Sequence, residues 1–401
     1  MTSILDRLGV TPIINACGTV TRLGGGPLHP DVVAAMAAAS EIACDMPALQ
    51  GVACKVIAAA TGAAAGIVTS GASAAVLLGA AACLAGLDPG RMNRLPEVPD
   101  GRREFIVVRS QRNMYDRALV VAGARIVEVG IADRFSGPGV RDAAPWEIED
   151  AIGPATVGLY YLAQPQSQPP LRAVADVARR HGIPVLVDAA AQLPPASNLR
   201  LFLQEGADLV AFSGGKAIGG PQASGILCGR ADLVSSALVQ MLDMDVREDA
   251  WSPPAAFAPL AQLRGLPHHG IGRSCKAGKE EIVGLMAALQ RFAAEDEAAR
   301  LARWRAMLEA ILKAAGTLPG VELSLDDDPA RHPVPMVRAT FADAAEARRV
   351  AAALRAGTPP VECQAGRIED GVLLFAPVAL RAEQAEEVGR RLRAAASSGT
   401  K

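Results

Sequence analysis

Between residues 100 and 230 the chain alternates short Val/Ile-rich runs with helical stretches, and this rhythm limits the fold more than any other feature. The runs 104–109 (EFIVVR), 125–129 (RIVEV), 156–161 (TVGLYY), 184–188 (PVLVD), 208–212 (DLVAF) and 225–228 (GILC) read as strands, and helical segments such as Leu171–His181 separate several of them. Because the runs are almost continuously apolar, both faces must be covered. An α/β fold follows, with a mostly parallel central sheet between helical layers. Ligands of such sheets bind at the carboxyl ends of the strands. The Ala-rich stretch 52–87 is broken by Lys55, Thr61-Gly62 and Ser70-Gly71, which predicts two helices around a strand and no membrane span.

After about residue 276 the texture changes. A helical stretch over 279–316, short strands near 321–324, 334–340 and 372–375, and helices at 343–356 and 381–396 predict a smaller α+β domain. The expected division is an N-terminal arm 1–45, a large domain 46–270 and a small domain 271–401, with the break near Pro267-His268-His269-Gly270. Those two histidines lie in a Pro/Gly turn without a carboxylate pair, so no metal site is expected. Aromatics are 3% of the chain, so the core must be built from Ala, Leu, Val and Ile. Forty basic residues face 42 acidic ones with no long run of one sign, which removes the electrostatic basis for nucleic-acid binding. Seven widely spaced cysteines without a C-x-x-C pair read as buried thiols in a reducing cytosol. The first residues lack a basic segment followed by an apolar one, so no secretory signal is expected and the location expected is cytoplasmic.

Only six basic residues are lysine (Lys55, Lys216, Lys276, Lys279, Lys313 and Lys401), which leaves few candidates for amine chemistry. Lys216 stands out, because the run 208–212 passes directly into Ser213-Gly214-Gly215-Lys216. A nucleotide P-loop is excluded: Val210 stands where its first glycine would fall, and Ala217 replaces the hydroxyl residue. A partly desolvated lysine at a strand end suits Schiff-base formation, since burial lowers the ammonium pKa and frees the lone pair. The preceding strand ends in Asp188, an acid that needs a cationic partner in apolar surroundings, and a pyridinium nitrogen would be one. Thr69-Ser70-Gly71-Ala72-Ser73 joins an apolar run to an Ala/Leu helix, where free N–H groups and hydroxyls can cradle a phosphate. Each part alone has a plain structural reading: a turn lysine, a capping aspartate, a capped helix. Together they point to pyridoxal 5'-phosphate.

This order of phosphate loop, strand-end Asp and strand-end Lys matches fold-type-I pyridoxal-phosphate enzymes. Three further segments, Ile14-Asn-Ala-Cys-Gly-Thr-Val-Thr-Arg-Leu-Gly24, Phe212-Ser-Gly-Gly-Lys-Ala-Ile-Gly-Gly-Pro-Gln-Ala223 and Arg273-Ser-Cys-Lys276-Ala-Gly-Lys279-Glu-Glu, resemble the selenocysteine synthase-like family, which includes D-glucosaminate-6-phosphate ammonia-lyase. The resemblance spans about residues 10–285. It implies that Lys216 carries the cofactor and shuttles the α-proton, and that Asp188 holds the ring nitrogen. Ser70, Gly71, Ala72, Ser73 and Ser213 would bind the phosphate, and the 219–222 loop, with Gly220, would reach a neighbouring subunit's site. Gln111 sits where the family places the residue covering the ring, with Arg112, Asn113 and Tyr115 as competitors. Asn15, Thr21, Arg22, Arg112 and Arg273 would line the substrate side, Arg273 as an anion anchor.

The function expected is a pyridoxal-phosphate-dependent lyase on a small amino acid or amino sugar acid, yielding a 2-oxo acid and ammonia by β-elimination. The alternatives are a selenocysteine synthase-like transferase performing β-replacement on an aminoacyl substrate, or a racemase or aldolase on the same scaffold. A tRNA partner is not expected, because the first site motif begins at residue 14 and no basic stripe is visible. The resemblance implies a homodimer or higher homo-oligomer with shared active sites.

Overall fold

The structure, a computed structural model, describes residues 4–131, 142–328 and 333–398. Its strands are β1 (Ile14–Ala16), β2 (Ala65–Thr69), β3 (Glu104–Val108), β4 (Arg125–Val129), β5 (Thr156–Leu162), β6 (Val185–Asp188), β7 (Leu209–Ser213), β8 (Gly225–Gly229), β9 (Val321–Asp326), β10 (Met336–Phe341), β11 (Val361–Cys363) and β12 (Val372–Phe375). Contacts divide the chain into two units, 28–293 and a second made of the N-terminal residues to 27 with those from 294 onward.

The larger unit holds a seven-stranded sheet in the order β2-β8-β7-β6-β5-β3-β4. Neighbours among β3 to β7 run parallel, and β8 is antiparallel to both β7 and β2. The loop 214–224 between β7 and β8 contains no crossover helix, so the chain can only turn back on itself. Along each inner strand alternate residues enter opposite cores. Val185, Val187, Val210 and Phe212 face one helical layer, and Leu186, Leu209 and Ala211 face the other. On the second face lies the helix Ala72–Ala85, rich in small residues. A Cβ at Gly79 would stand 2.8 Å from Leu186 Cδ1, so the missing side chain lets this helix lie close on the sheet. A core with few aromatics is packed in this way.

The smaller unit has a three-stranded antiparallel sheet, β12-β10-β9, a parallel β1–β11 pair, and the helices Glu297–Ala315, Ala344–Ala356 and Ala385–Ser397. Ile14 and Ala16 share its core with Leu308, Ile311, Val337 and Phe375. These contacts redraw the expected division 1–45, 46–270 and 271–401: Ile14 pairs with Val361, which ties the first residues to the C-terminal unit. The expected helix 279–316 is two helices, Lys279–Ala294 and Glu297–Ala315. Asp296 interrupts them, its carboxylate accepting the Ala299 N–H at 2.9 Å as an N-cap. The cysteines differ from expectation as well, since Cys44 is exposed and Cys83 half-buried. No helix among the described residues is long and apolar enough to cross a membrane.

Candidate active site

The site is built at the carboxyl edge of the seven-stranded sheet, and Gly225 sets its geometry. This glycine pairs with Ser213 of β7 on one side and Thr69 of β2 on the other, so the chain leaves both strands at the same edge. A Cβ on Gly225 would lie 2.3 Å from the Gly71 carbonyl carbon, and only glycine lets the 70–73 loop pass there. Gly225→Ala is expected to lower the unfolding free energy by about 1–3 kcal/mol in urea melts, through a displaced 70–73 loop. An unchanged midpoint would show that the loop tolerates the methyl group.

Beyond β7 the chain folds into a tight loop, where the Gly214 N–H donates to Ser224 O and the Gly220 N–H to Gly214 O, both at 2.9 Å. The position of a Cβ on Gly215 is 2.6 Å from Gln222 Cα, so this turn too requires glycine. Lys216 emerges from it half-buried, and burial pushes its ammonium pKa down against the opposing pull of Asp188.

Asp188 ends β6 and is 6% exposed. Oδ1 accepts the Ala190 N–H at 3.0 Å and Oδ2 accepts the Tyr160 hydroxyl at 3.0 Å. Burial raises its pKa, while these hydrogen bonds and the Lys216 charge lower it. In both groups burial is the larger influence, so each is drawn toward its neutral form in the absence of a further partner. Tyr160 itself did not emerge from the sequence reading. The available signal was the placement of two of the chain's three tyrosines in β5, with Tyr160 on the same face as Leu162, whose register partner is Asp188.

The loop 70–73 lies between β2 and the helix Ala72–Ala85. Gly71, with φ of +148°, is the N-cap and provides no side chain, so the first-turn N–H groups lack a side-chain acceptor. The Ser70 N–H donates to Cys275 O at 3.1 Å, leaving its hydroxyl as what Ser70 brings to this end of the helix.

Other residues expected at the site have structural commitments. Gln111, 2% exposed, donates from Nε2 to Gln168 O at 3.1 Å and accepts at Oε1 from the Leu162 N–H at 3.1 Å. Its amide ties the ends of β3 and β5 together, which differs from covering a ring. The Arg112 guanidinium is held by Asp116 and Glu128, and Arg273 pairs with Asp243 at 2.9 Å. In the smaller unit Asn15 donates to Gly18 O (2.9 Å) and Gly25 O (2.8 Å) and accepts the Cys17 N–H (3.0 Å), so it braces its own loop. Thr21 opens the short 3-10 turn Thr21–Leu23. Arg22, 62% exposed, approaches Glu362 at 3.4 Å and lines a cavity of about 580 Å³ with Arg355, Glu362 and Gln364.

A mostly parallel sheet between helical layers, with a separate small antiparallel sheet, is the architecture of a fold-type-I pyridoxal-phosphate-dependent enzyme. Within that class the chain belongs to the SelA family: the model described as L-seryl-tRNA selenium transferase matches residues 13–251. The 5'-C-glycyluridine monooxygenase-decarboxylase of a Streptomyces species is 32% identical, over 96% of this chain and 90% of its own. D-Glucosaminate-6-phosphate ammonia lyase of Salmonella typhimurium is 28% identical, over 94% of this chain and 93% of its own. A solved structure of D-glucosaminate-6-phosphate ammonia-lyase superposes with a TM-score of 0.81 at 26% identity, covering 100% of both chains. A lysine-to-alanine variant of serine palmitoyltransferase from S. paucimobilis, solved with a bound PLP–myriocin aldimine, shares the fold with a TM-score of 0.53 at 14% identity, covering 96% of this chain and 88% of that one.

Proposed function

We propose that this protein is a pyridoxal-phosphate-dependent lyase that releases ammonia and a 2-oxo acid from a small 2-amino acid or amino sugar acid. The observation that carries the reading is the convergence of Lys216, Asp188 and the uncapped helix at residue 71 on one sheet edge. The residues suit the cofactor group by group. Asp188 is a buried carboxyl with two neutral donors and no cation tightly paired with it, which fits a protonated ring nitrogen as the partner that would favour its charge. The helix N-terminus fits a phosphate, and the lysine of lowered pKa fits an aldehyde. The full-length likeness to the ammonia-lyases supports elimination among the possible reactions.

Bound through Lys216, pyridoxal phosphate supplies an electron sink for the bond broken at the substrate's α-carbon. The chain's own residues do the rest. The N–H groups of Gly71, Ala72 and Ser73 at the helix N-terminus would hold the phosphate, with the Ser70 and Ser213 hydroxyls as further donors. Asp188 keeps the ring nitrogen protonated. With its amine free, Lys216 would act as the base that takes the substrate's α-proton and hands it to the departing β-hydroxyl, which would leave as water. Hydrolysis of the resulting enamine consumes one water and gives the 2-oxo acid and ammonia.

A second reading has its own support in the 32% identity to a monooxygenase-decarboxylase, in which the bond to the α-carboxylate breaks and dioxygen is consumed. The two separate in one assay of the pyridoxal-phosphate-loaded protein against 2-amino-3-hydroxy acids and 2-amino sugar acids. Ammonia and 2-oxo acid in equal amounts without oxygen uptake are expected; carbon dioxide release with oxygen uptake would establish the second reading instead. Exposed Met114, Tyr115, Val120 and Val121 support the further reading that a second copy of the chain covers this surface.

A further inference from the structure

Tyr160 lies at the centre of the site edge without a place in the reaction described above. It is 2% exposed, and burial, then the Asp188 charge, drive its hydroxyl pKa far upward, so it acts only as a neutral donor and acceptor. Asn113 Oδ1 accepts the Tyr115 N–H at 2.7 Å, and the Asn113 side chain offsets part of the upward shift of the Tyr160 hydroxyl. The Tyr160 hydroxyl donates to Asp188 Oδ2, 3.0 Å away. Asn113 is anchored in turn, its N–H donating to Asp116 Oδ2 at 3.1 Å, and Asp116 is held by Arg112.

We propose that Tyr160 is a positioning residue that favours the ionised form of Asp188 and aims its carboxylate at the cofactor ring nitrogen. The inference rests on the pyridoxal-phosphate reading and adds a residue to it. The physical reason is the neutrality of the donor. An arginine or lysine beside Asp188 would stabilise the carboxylate but cancel its charge, whereas a phenol stabilises the anion and leaves the charge available to the ring nitrogen. The charged groups that act on this pair are Lys216, from the loop after β7, and Asp116, from the segment after β3. Lys216 favours the ionised carboxylate, and Asp116 reinforces the upward shift of the tyrosine.

Tyr160→Phe removes one oxygen and keeps the ring that fills the core. Three quantities are read: pyridoxal phosphate affinity, the pH midpoint of the bound cofactor's visible absorbance, and the urea midpoint of the cofactor-free protein. Without the hydroxyl Asp188 is ionised less, the ring nitrogen is protonated less, and the nitrogen of Lys216 on the cofactor becomes more basic. The affinity is expected to fall roughly tenfold, the loss of one hydrogen bond to a charged group. The pH midpoint is expected to rise by about one unit, in the same direction as Asp188→Asn and by less. Tyr160→Leu, which also lacks the hydroxyl, should move it the same way, and it carries the test if Tyr160→Phe does not fold. A tyrosine that merely packs would change the urea midpoint and leave the pH midpoint alone. A pH midpoint equal to that of the unsubstituted protein, with Asp188→Asn shifted, overturns the proposal. Failure of the unsubstituted protein to take up pyridoxal phosphate removes the cofactor reading, and the role of Tyr160 with it.

Discussion

Lys216→Ala is expected to reduce turnover by about 10⁴-fold or more and to remove the visible absorbance of the loaded protein, because one side chain serves as both attachment point and base. Among the described residues no other lysine directly follows a strand of the seven-stranded sheet. Lys55 lies in the helix Met46–Thr61, Lys313 in the helix Glu297–Ala315, and Lys279 pairs with Glu280. The melting temperature of the cofactor-free protein should stay the same or rise, since burial works against the charged form of Lys216 and its removal relieves that cost. Lost activity with an unchanged melt separates a chemical role from a structural one. Retained turnover would assign the chemistry elsewhere.

Asp188→Asn is the second large effect. The substitution keeps the shape and removes the charge that balances the ring nitrogen, so turnover should fall about 10²–10³-fold, as for loss of one preorganised electrostatic partner. Stability should move in the opposite direction. The folded-state pKa of Asp188 is raised above its ordinary 3.8, so between that value and the folded pKa the native state binds more protons than the unfolded one. Stability of the cofactor-free protein therefore falls as pH rises through this window. The asparagine variant lacks this dependence. It should be the more stable of the two at neutral pH, with the difference closing as the pH is lowered toward 3.8. Urea melts across pH check this directly, and a variant less stable at every pH would show that the carboxylate contributes more through its hydrogen bonds than it costs through burial.

Much of the larger unit was legible because its strands are apolar on both faces and bounded by helices, so β3 through β8 stand out as runs. The strand-end placements of Asp188, Lys216 and the 70–73 loop were readable for the same reason, since an acid or a Gly-Gly-Lys closing an apolar run has few packing explanations. What escaped depends on partners remote in sequence. The three-residue strands β1 and β11 have no local periodicity and exist only through each other, with Ala16 opposite Cys363. The commitments of Arg112 to Glu128 and of Arg273 to Asp243 are tertiary, and an arginine looks available until its carboxylate is located. Tyr160 escaped because a tyrosine in an apolar strand reads as core, and only the register of β5 against β6 brings its hydroxyl to Asp188.

Attachment of pyridoxal phosphate to Lys216 underlies every step proposed above. Its most direct test is borohydride reduction of the loaded protein followed by mass spectrometry of its peptides, because hydride converts the cofactor–lysine carbon–nitrogen double bond into a stable secondary amine. A band at roughly 410–430 nm is expected before reduction, with its disappearance afterwards and a single phosphopyridoxyl adduct on the peptide containing Lys216. An adduct on Lys55, Lys276, Lys279, Lys313 or Lys401 instead, or no adduct on any lysine, would contradict it.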